Sequence, residues 1–274
     1  MTATSNDRGF SLHDASADAL MSMSAYHEHP AVNRSTLWTI HTEGPFAYKW
    51  NKDQGEQKVT DSMNLGTAIH AAILEPPEEF SSLVAVYDGT RRGKDWEAFR
   101  DRHEELGMVT LTATQYKRVS IIRDFINRHP SVRDLFKTGE PEVSLFWNDL
   151  GTGWPCKSRP DWLDVSGRQI IDVKTTSDIS DRGLSRSVRQ FGAHLQASMA
   201  LQACDALGYS IENYYLLFVS TVGAPAIKLR RMPISAIDDG YTIFRDAMSV
   251  YVECSTSDSW PIPNLEPNEL NWNE

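Results

Sequence analysis

The segment that most constrains this chain is a pair of acidic residues placed across a turn. Arg159-Pro160-Asp161 is followed, ten residues later, by Asp172-Val173-Lys174, and Ser166-Gly167 lies midway between them. A tight hairpin centred on Ser166-Gly167 sets Asp161 directly opposite Asp172. Directly opposed residues share one face of a sheet, with Cβ atoms roughly 5 Å apart. Lys174, two residues beyond Asp172, points to that same face. Like charges directly opposite destabilise a sheet, so something positive is expected between the two carboxylates. A hard divalent cation held by carboxylate and water oxygens fits, which means Mg2+, with Mn2+ able to substitute. Such an ion polarises a phosphoryl oxygen and lowers the pKa of bound water, and Lys174 can orient or deprotonate that water. Pro160 has no N–H to give to the ladder, so pairing is expected to fray beside Asp161 and free the Val173 carbonyl as a further ligand. The bland alternative is a surface hairpin with ordinary charges. Asp-x-Lys alone is common; its weight here comes from Pro-Asp on the neighbouring strand.

The rest of the chain reads as a frame for that hairpin. Its 274 residues fit one large domain. Residues 1–22 read as a mobile tail, 23–254 as a single domain and 255–274 as an irregular tail. Helix signals run over 35–50, with Ser35 as N-cap, and over 61–75, capped by Asp61 or Ser62 and stopped by Pro76-Pro77. A loop leads into a helix over 91–107, and an amphipathic helix spans 112–128. Strands are predicted over 142–147, 154–165, 168–175, 213–221 and 227–232. One continuous helix is predicted over 181–207, with Gly208 just past its end, and another over 233–254. This order implies an α/β fold with a mixed central sheet flanked by helices.

Composition excludes several classes. Cys156, Cys204 and Cys254 are scattered and form no C-x-x-C, so the expectation is buried free thiols, with no disulfide framework and no zinc knuckle. No run approaches the ~18 apolar residues of a membrane span. The first nineteen residues carry Asp7, Asp14 and Asp18 and do not read as a secretory signal, so a cytoplasmic location is expected. The net charge of −10 speaks against a simple nucleic-acid binder. An enzyme, however, needs only a local positive track. Arg182, Arg186 and Arg189 share one helical face, and continuing that face reaches Ala193, Gln196 and Ala200. Arg91, Arg92 and Lys94 form a second basic cluster in a glycine-flanked loop. Both clusters are candidate phosphate contacts, against the alternative of solvated charge.

Arg159-Pro160-Asp161 with Asp172-Val173-Lys174-Thr175-Thr176 resembles the core of PD-(D/E)XK nucleases, in particular the RecE-like and RecB-like phage-type exonucleases. Gly66-Thr67-Ala68-Ile69-His70 followed by Leu74-Glu75-Pro76 is similar to the G-x-A-x-H helix of RecE-type proteins. Glu142-Val143-Ser144 lies where that family has a strand before the core hairpin. His194-Leu195-Gln196 is similar to the helix bearing its Q-x-x-x-Y motif. Met23-Ser24 through Tyr26-His27, then Ser35, looks like the start of such exonucleases. The resemblance covers about residues 23–220 and implies a restriction-endonuclease-like core. It implies His70 as a metal ligand beside Asp161, Asp172 and the Val173 carbonyl, and Lys174 as the catalytic lysine. Gln196 would hold the site or the DNA end, and Glu142 would be an acid linked to the metal. Position 200 is Ala where the family often carries Tyr, a departure that leaves the metal cluster untouched.

The implied activity is a Mg2+-dependent exodeoxyribonuclease acting on duplex DNA ends, 5′-to-3′, for phage-type recombination with a single-strand annealing protein. A homo-oligomeric ring, in a bacterial or phage-infected cell, belongs to the same resemblance. The alternatives are a non-cleaving DNA-end-binding protein and a RecB-like single-strand DNA nuclease. The latter commonly carries a four-cysteine iron–sulfur cluster, and three scattered cysteines argue against one.

Overall fold

The computed structural model describes residues 15–55 and 60–262. In chain order the elements are β1 (Ser16–Asp18), α1 (Met23–Glu28), α2 (Arg34–Glu43), α3 (Pro45–Gln54), α4 (Asp61–Leu74), α5 (Pro77–Leu83), β2 (Val84–Tyr87), α6 (Lys94–Glu105), β3 (Val109–Thr112), α7 (Ala113–Asn127) and α8 (Pro130–Leu135). They continue with β4 (Glu140–Pro141), β5 (Ser144–Asn148), β6 (Pro155–Ser158), β7 (Trp162–Asp164), β8 (Gln169–Thr176), α9 (Asp181–Gln190), α10 (Ala193–Ala206), β9 (Asn213–Ser220), β10 (Ile227–Arg231) and α11 (Ile234–Ser257).

The central sheet has the order β10-β9-β8-β7-β4; β8 and β9 run parallel and the other pairs antiparallel. It is the expected mixed sheet flanked by helices. Successive side chains of a strand point to opposite faces, and here they enter two different cores. Ile170, Tyr214, Leu216 and Phe218 pack with residues of α2, α10 and α11. Ile171, Val173, Leu217 and Val219 pack with residues of α4, α5 and α7. Both faces are buried, so β9 is an almost unbroken apolar run.

Local signals account for most element ends. Thr60 caps α4 by accepting from the Met63 amide, and Thr112 with Gln115 forms a reciprocal capping box on α7. The predicted cap Ser35 lies inside α2, whose N-cap is Asn33; the 35–50 segment is two helices, parted by Gly44 at φ +91° before Pro45. Pro77 stops α4 only by opening α5 at its first turn, where a missing N–H costs nothing.

Four further expectations are corrected. The segment 154–165 is two strands in different sheets, because the chain leaves the β1-β5-β6 sheet at Arg159-Pro160-Asp161 and enters the central sheet at Trp162. Proline cannot extend a ladder through that point. The segment 181–207 is two helices: Gly192 takes φ +62°, and a side chain there would run into the Trp38 ring. Part of the expected N-terminal tail is ordered, since Ser16–Asp18 pairs with Ser144–Phe146 of β5. Residues 1–14 lie outside the described residues. The last helix runs on to Ser257, so the C-terminal tail begins later than expected; 263–274 also lie outside the described residues.

Lys157 fastens the N-terminal segment to the sheet. It is fully buried on β6, and its ammonium donates to the carbonyls of Tyr26, His27 (3.3 Å) and His29 (2.7 Å). Two of those carbonyls belong to the last turn of α1, which has no intrahelical donor for them.

Candidate active site

The hairpin has the predicted register. Trp162 pairs with Ile171, Leu163 with Ile170 and Asp164 with Gln169, which places Asp161 one step beyond the last pair and across from Asp172. The ladder ends beside Pro160 as expected. In place of a strand partner, the Asp161 carboxylate itself takes the Val173 amide, Oδ2 to N 2.6 Å. N–H and C=O of one residue in a strand point to the same side, so the Val173 carbonyl faces the same gap.

Two other segments close on this point. α4 brings His70, whose Nδ1 stands 3.4 Å from Asp161 Oδ2. Its Gly66 packs near Thr175 of β8, but an added methyl would meet the Thr175 hydroxyl only at an ordinary 3.5 Å. α10 brings Gln196, which receives the Lys174 ammonium on Oε1 at 3.0 Å and donates Nε2 to Asp172 Oδ1, also at 3.0 Å. Lys174 also contacts Asp172 Oδ2 directly. Asp172, Lys174 and Gln196 thus form a closed triangle on the α10 side of the sheet.

The electrostatics are those of a crowded acidic pair. Asp172 is wholly buried; burial and the Asp161 charge push its carboxyl up to about 6, against the pull of Lys174. Burial also opposes the Asp161 charge, but His70, Lys174 and the Val173 amide outweigh it and hold Asp161 low. Burial opposes the positive form of His70 as well, yet Asp161 keeps it above the usual imidazole value. Glu142 takes φ +48°, donates its amide to the Asp161 carbonyl at 3.0 Å and gives its carboxylate to Arg159 at 3.1 Å. It touches the backbone of the site, while its acid is occupied by arginine.

Among the described residues, no three His, Cys, Asp or Glu side chains stand close enough to hold a metal as they are arranged. Both Asp172 oxygens are turned to Lys174 and Gln196.

Over residues 41–266 the sequence matches the family described as a PDDEXK-like domain of unknown function (DUF3799). The chain belongs to this PDDEXK-like family. Its fold is shared with a crystal structure from Eubacterium rectale named "Putative exonuclease", at TM-score 0.61 and 13% identity, covering 90% of this chain and 96% of that one. A phage related exonuclease from Haemophilus somnus 129PT also matches, at 14% identity over 85% of this chain and 98% of that one, with a TM-score of only 0.36. No curated protein gives a significant match.

The basic groups of this PDDEXK-like chain are divided. Arg182, Arg186 and Arg189 are all exposed on α9, opposite buried Gly183 and Leu184. The break at Gly192 ends their stripe, so it does not continue along one helix to Gln196 as the uninterrupted helix required. α9 is moored to β10 through Asp181, which binds Lys228 at 2.9 Å and Arg230 at 2.8 Å. Arg92 and Lys94 are exposed. Arg91 is not available in the same way: it binds Asp61, Gln115 and the Thr110 carbonyl and lies over the Trp96 ring.

Cys156, Cys204 and Cys254 are buried free thiols, as expected. Among the described residues no helix is long and apolar enough to cross a membrane. Two residues near the site carry no local sequence signal. Tyr214 of β9 and Arg34 of α2 both lie close enough to feel the Asp172 charge, and Arg34 is anchored on the Phe191 carbonyl at 2.7 Å.

Proposed function

We propose that this chain is a divalent-metal-dependent nuclease that hydrolyses phosphodiesters at duplex DNA ends. The observation that supports it best is the convergence of Asp161, Asp172 and Lys174 with His70 and Gln196, from β8, α4, α10 and the link between β6 and β7, around one fraying strand pair. The donor set fits a hard cation: two carboxylate groups, an imidazole and the Val173 carbonyl. A buried pair of like charges is costly unless a positive group is shared between them, and Lys174 fills that role here. Mg2+, or Mn2+ in its place, would be held by His70, Asp161, Asp172 and the Val173 carbonyl. When bound it would supply polarisation of the phosphoryl group and an acidified water.

The chain's own groups then have distinct tasks. Lys174, no longer needed to neutralise Asp172, is placed to orient the attacking water or take its proton. Gln196 keeps Lys174 and Asp172 in fixed relation. Glu142 holds Arg159 and, through its amide, the Asp161 backbone. Arg182, Arg186 and Arg189, with Arg92 and Lys94, would contact phosphates without reading sequence. The 5′-to-3′ direction, a role in phage-type recombination beside an annealing protein, a closed ring and a cytoplasmic setting rest on the family resemblance.

The deciding experiment incubates the protein with end-labelled linear duplex and with closed circular duplex, with Mg2+ or EDTA. Mononucleotides released from linear DNA only, and only with Mg2+, are the expected result. Binding to ends without release in any divalent metal would replace this reading with a non-cleaving end-binding protein. Preference for single strands would favour the RecB-like alternative.

A further inference from the structure

The site contains a polar group to which the mechanism above assigns nothing. β8 and β9 run parallel with Asp172 beside Leu216. Tyr214, two residues before Leu216, therefore projects from the same face of the sheet as Asp172. Its side chain is 1% exposed and lies in the core shared with Ala200 and Leu216. The hydroxyl makes no well-aligned hydrogen bond among the described residues. A buried hydroxyl without a partner is unfavourable, and phenylalanine would fill the same space without that cost. Of the two carboxylates that bear on it, Asp172 acts more strongly than Asp161.

Tyr214 thus faces Asp172 from the closed interior. The other two groups on the carboxylate come from elsewhere: Lys174 sits on Oδ2 and Gln196 on Oδ1. If Asp172 is to give an oxygen to a cation, Lys174 must release it and the carboxylate must turn. A donor fixed in the core can then join Gln196 in holding the second oxygen without competing for the cation. Arg34 also feels the Asp172 charge, and gives one of its N–H groups to the Phe191 carbonyl.

We infer that Tyr214 is a positioning residue for the metal centre: its hydroxyl donates to Asp172 and fixes the carboxylate in the orientation that presents an oxygen to the cation. This rests on the metal-dependent reading above. The position four residues after Gln196 on α10 is Ala200, buried and without a polar side chain, so that position offers Asp172 no second donor.

The test compares wild type with Tyr214→Phe, a change that removes one oxygen and keeps the ring. Mn2+ binding is measured by calorimetry on the full chain. Melting is followed in EDTA, and Mg2+ dependence is followed on linear duplex. Polar partners that orient a metal ligand typically change affinity by about 10–100-fold when lost, so Tyr214→Phe is expected to bind Mn2+ about tenfold more weakly. Its half-saturating Mg2+ should rise by a similar factor, with a smaller change in rate at saturating metal. In EDTA it should melt at or above wild type, since the hydroxyl has no aligned partner there. Mn2+ affinity within about twofold of wild type overturns the assignment of Tyr214 and leaves the nuclease reading standing. A variant that melts well below wild type in EDTA overturns it in favour of a hydroxyl that only supports the fold. Wild type that binds no Mn2+ removes the metal reading itself, and this inference with it.

Discussion

Asp172→Asn gives the sharpest test of the electrostatic argument, because its effect on stability should run opposite to its effect on activity. The wild-type carboxyl is wholly buried and held near 6, above its ordinary 3.8, by burial and by Asp161. A carboxylate forced to ionise under those conditions costs the folded state about 3 kcal/mol at pH 8. Asparagine removes that cost. It still accepts from Gln196 on its oxygen, but its amide now meets the Lys174 ammonium, an adverse contact of about 1–2 kcal/mol. Lys174 is partly exposed and can turn to water. The net expectation in EDTA is a gain of about 1–2 kcal/mol, or a melting rise of roughly 2–8 °C for a domain of this size.

The sign follows from linkage. A raised carboxyl pKa leaves stability intact below the unfolded value of 3.8 and removes it as pH rises through about 6. The advantage of Asp172→Asn should therefore be complete at pH 8 and absent near pH 4. With millimolar Mg2+ the order should reverse, since wild type gains about 2.7 kcal/mol at a hundredfold excess over the dissociation constant and the variant far less. Lys174→Ala should lose cleavage yet keep the metal-induced stabilisation. Melting curves of the three proteins at two pH values, with EDTA and with Mg2+, read all of this. Asp172→Asn melting several degrees below wild type in EDTA at pH 8 would refute the repulsion argument, and a variant that still cuts DNA would refute the catalytic one.

Other expected outcomes concern the surroundings of the site. Lys157→Met leaves the carbonyls of Tyr26, His27 and His29 without this donor; only the Tyr26 bond is buried, so at about 1–3 kcal/mol for a buried unsatisfied group the protein should lose about that much and become protease-sensitive near residues 23–29, with unchanged melting counting against the assignment. Glu75 is raised to about 7 by burial, then by Glu79 and Glu142. Its contribution is present below about pH 4.5 and lost as pH rises through 7, so Glu79→Gln should flatten the decline of melting temperature across that window, and parallel curves would refute the coupling. Arg186→Ala with Arg189→Ala should leave melting unchanged and lower the slope of log affinity for duplex against log salt by about one unit per lost phosphate contact. An unchanged slope would return this face to ordinary solvated surface.

The sequence alone determined what was written in short-range chemistry. The register that sets Asp161 across from Asp172 follows from the turn at Ser166-Gly167 and the two-residue period of a strand, and it is the register found. The fraying at Pro160 follows from a missing N–H, and the helices beginning at Asp61 and Ala113 were legible in the sequence, although Thr60 caps the first of them in place of the expected Asp61 or Ser62. What failed was continuity. An apolar repeat at helical spacing runs through Gly192 unbroken, and only the Trp38 ring pressed against that glycine shows why the helix must stop and turn. The alternation over 154–165 likewise reads as one strand, while the fold hands its two halves to different sheets. Arg91 looks like a free cation in sequence and is held by partners as distant as Asp61 and Gln115. Tyr214 is the limiting case: forty-two positions from Asp172, it gains its relation to that carboxylate only because β9 is laid parallel to β8. A parallel pair needs a long crossover between its strands, here the two helices α9 and α10, so no turn or local period can announce which residues it will bring together. Only the tertiary structure decides that.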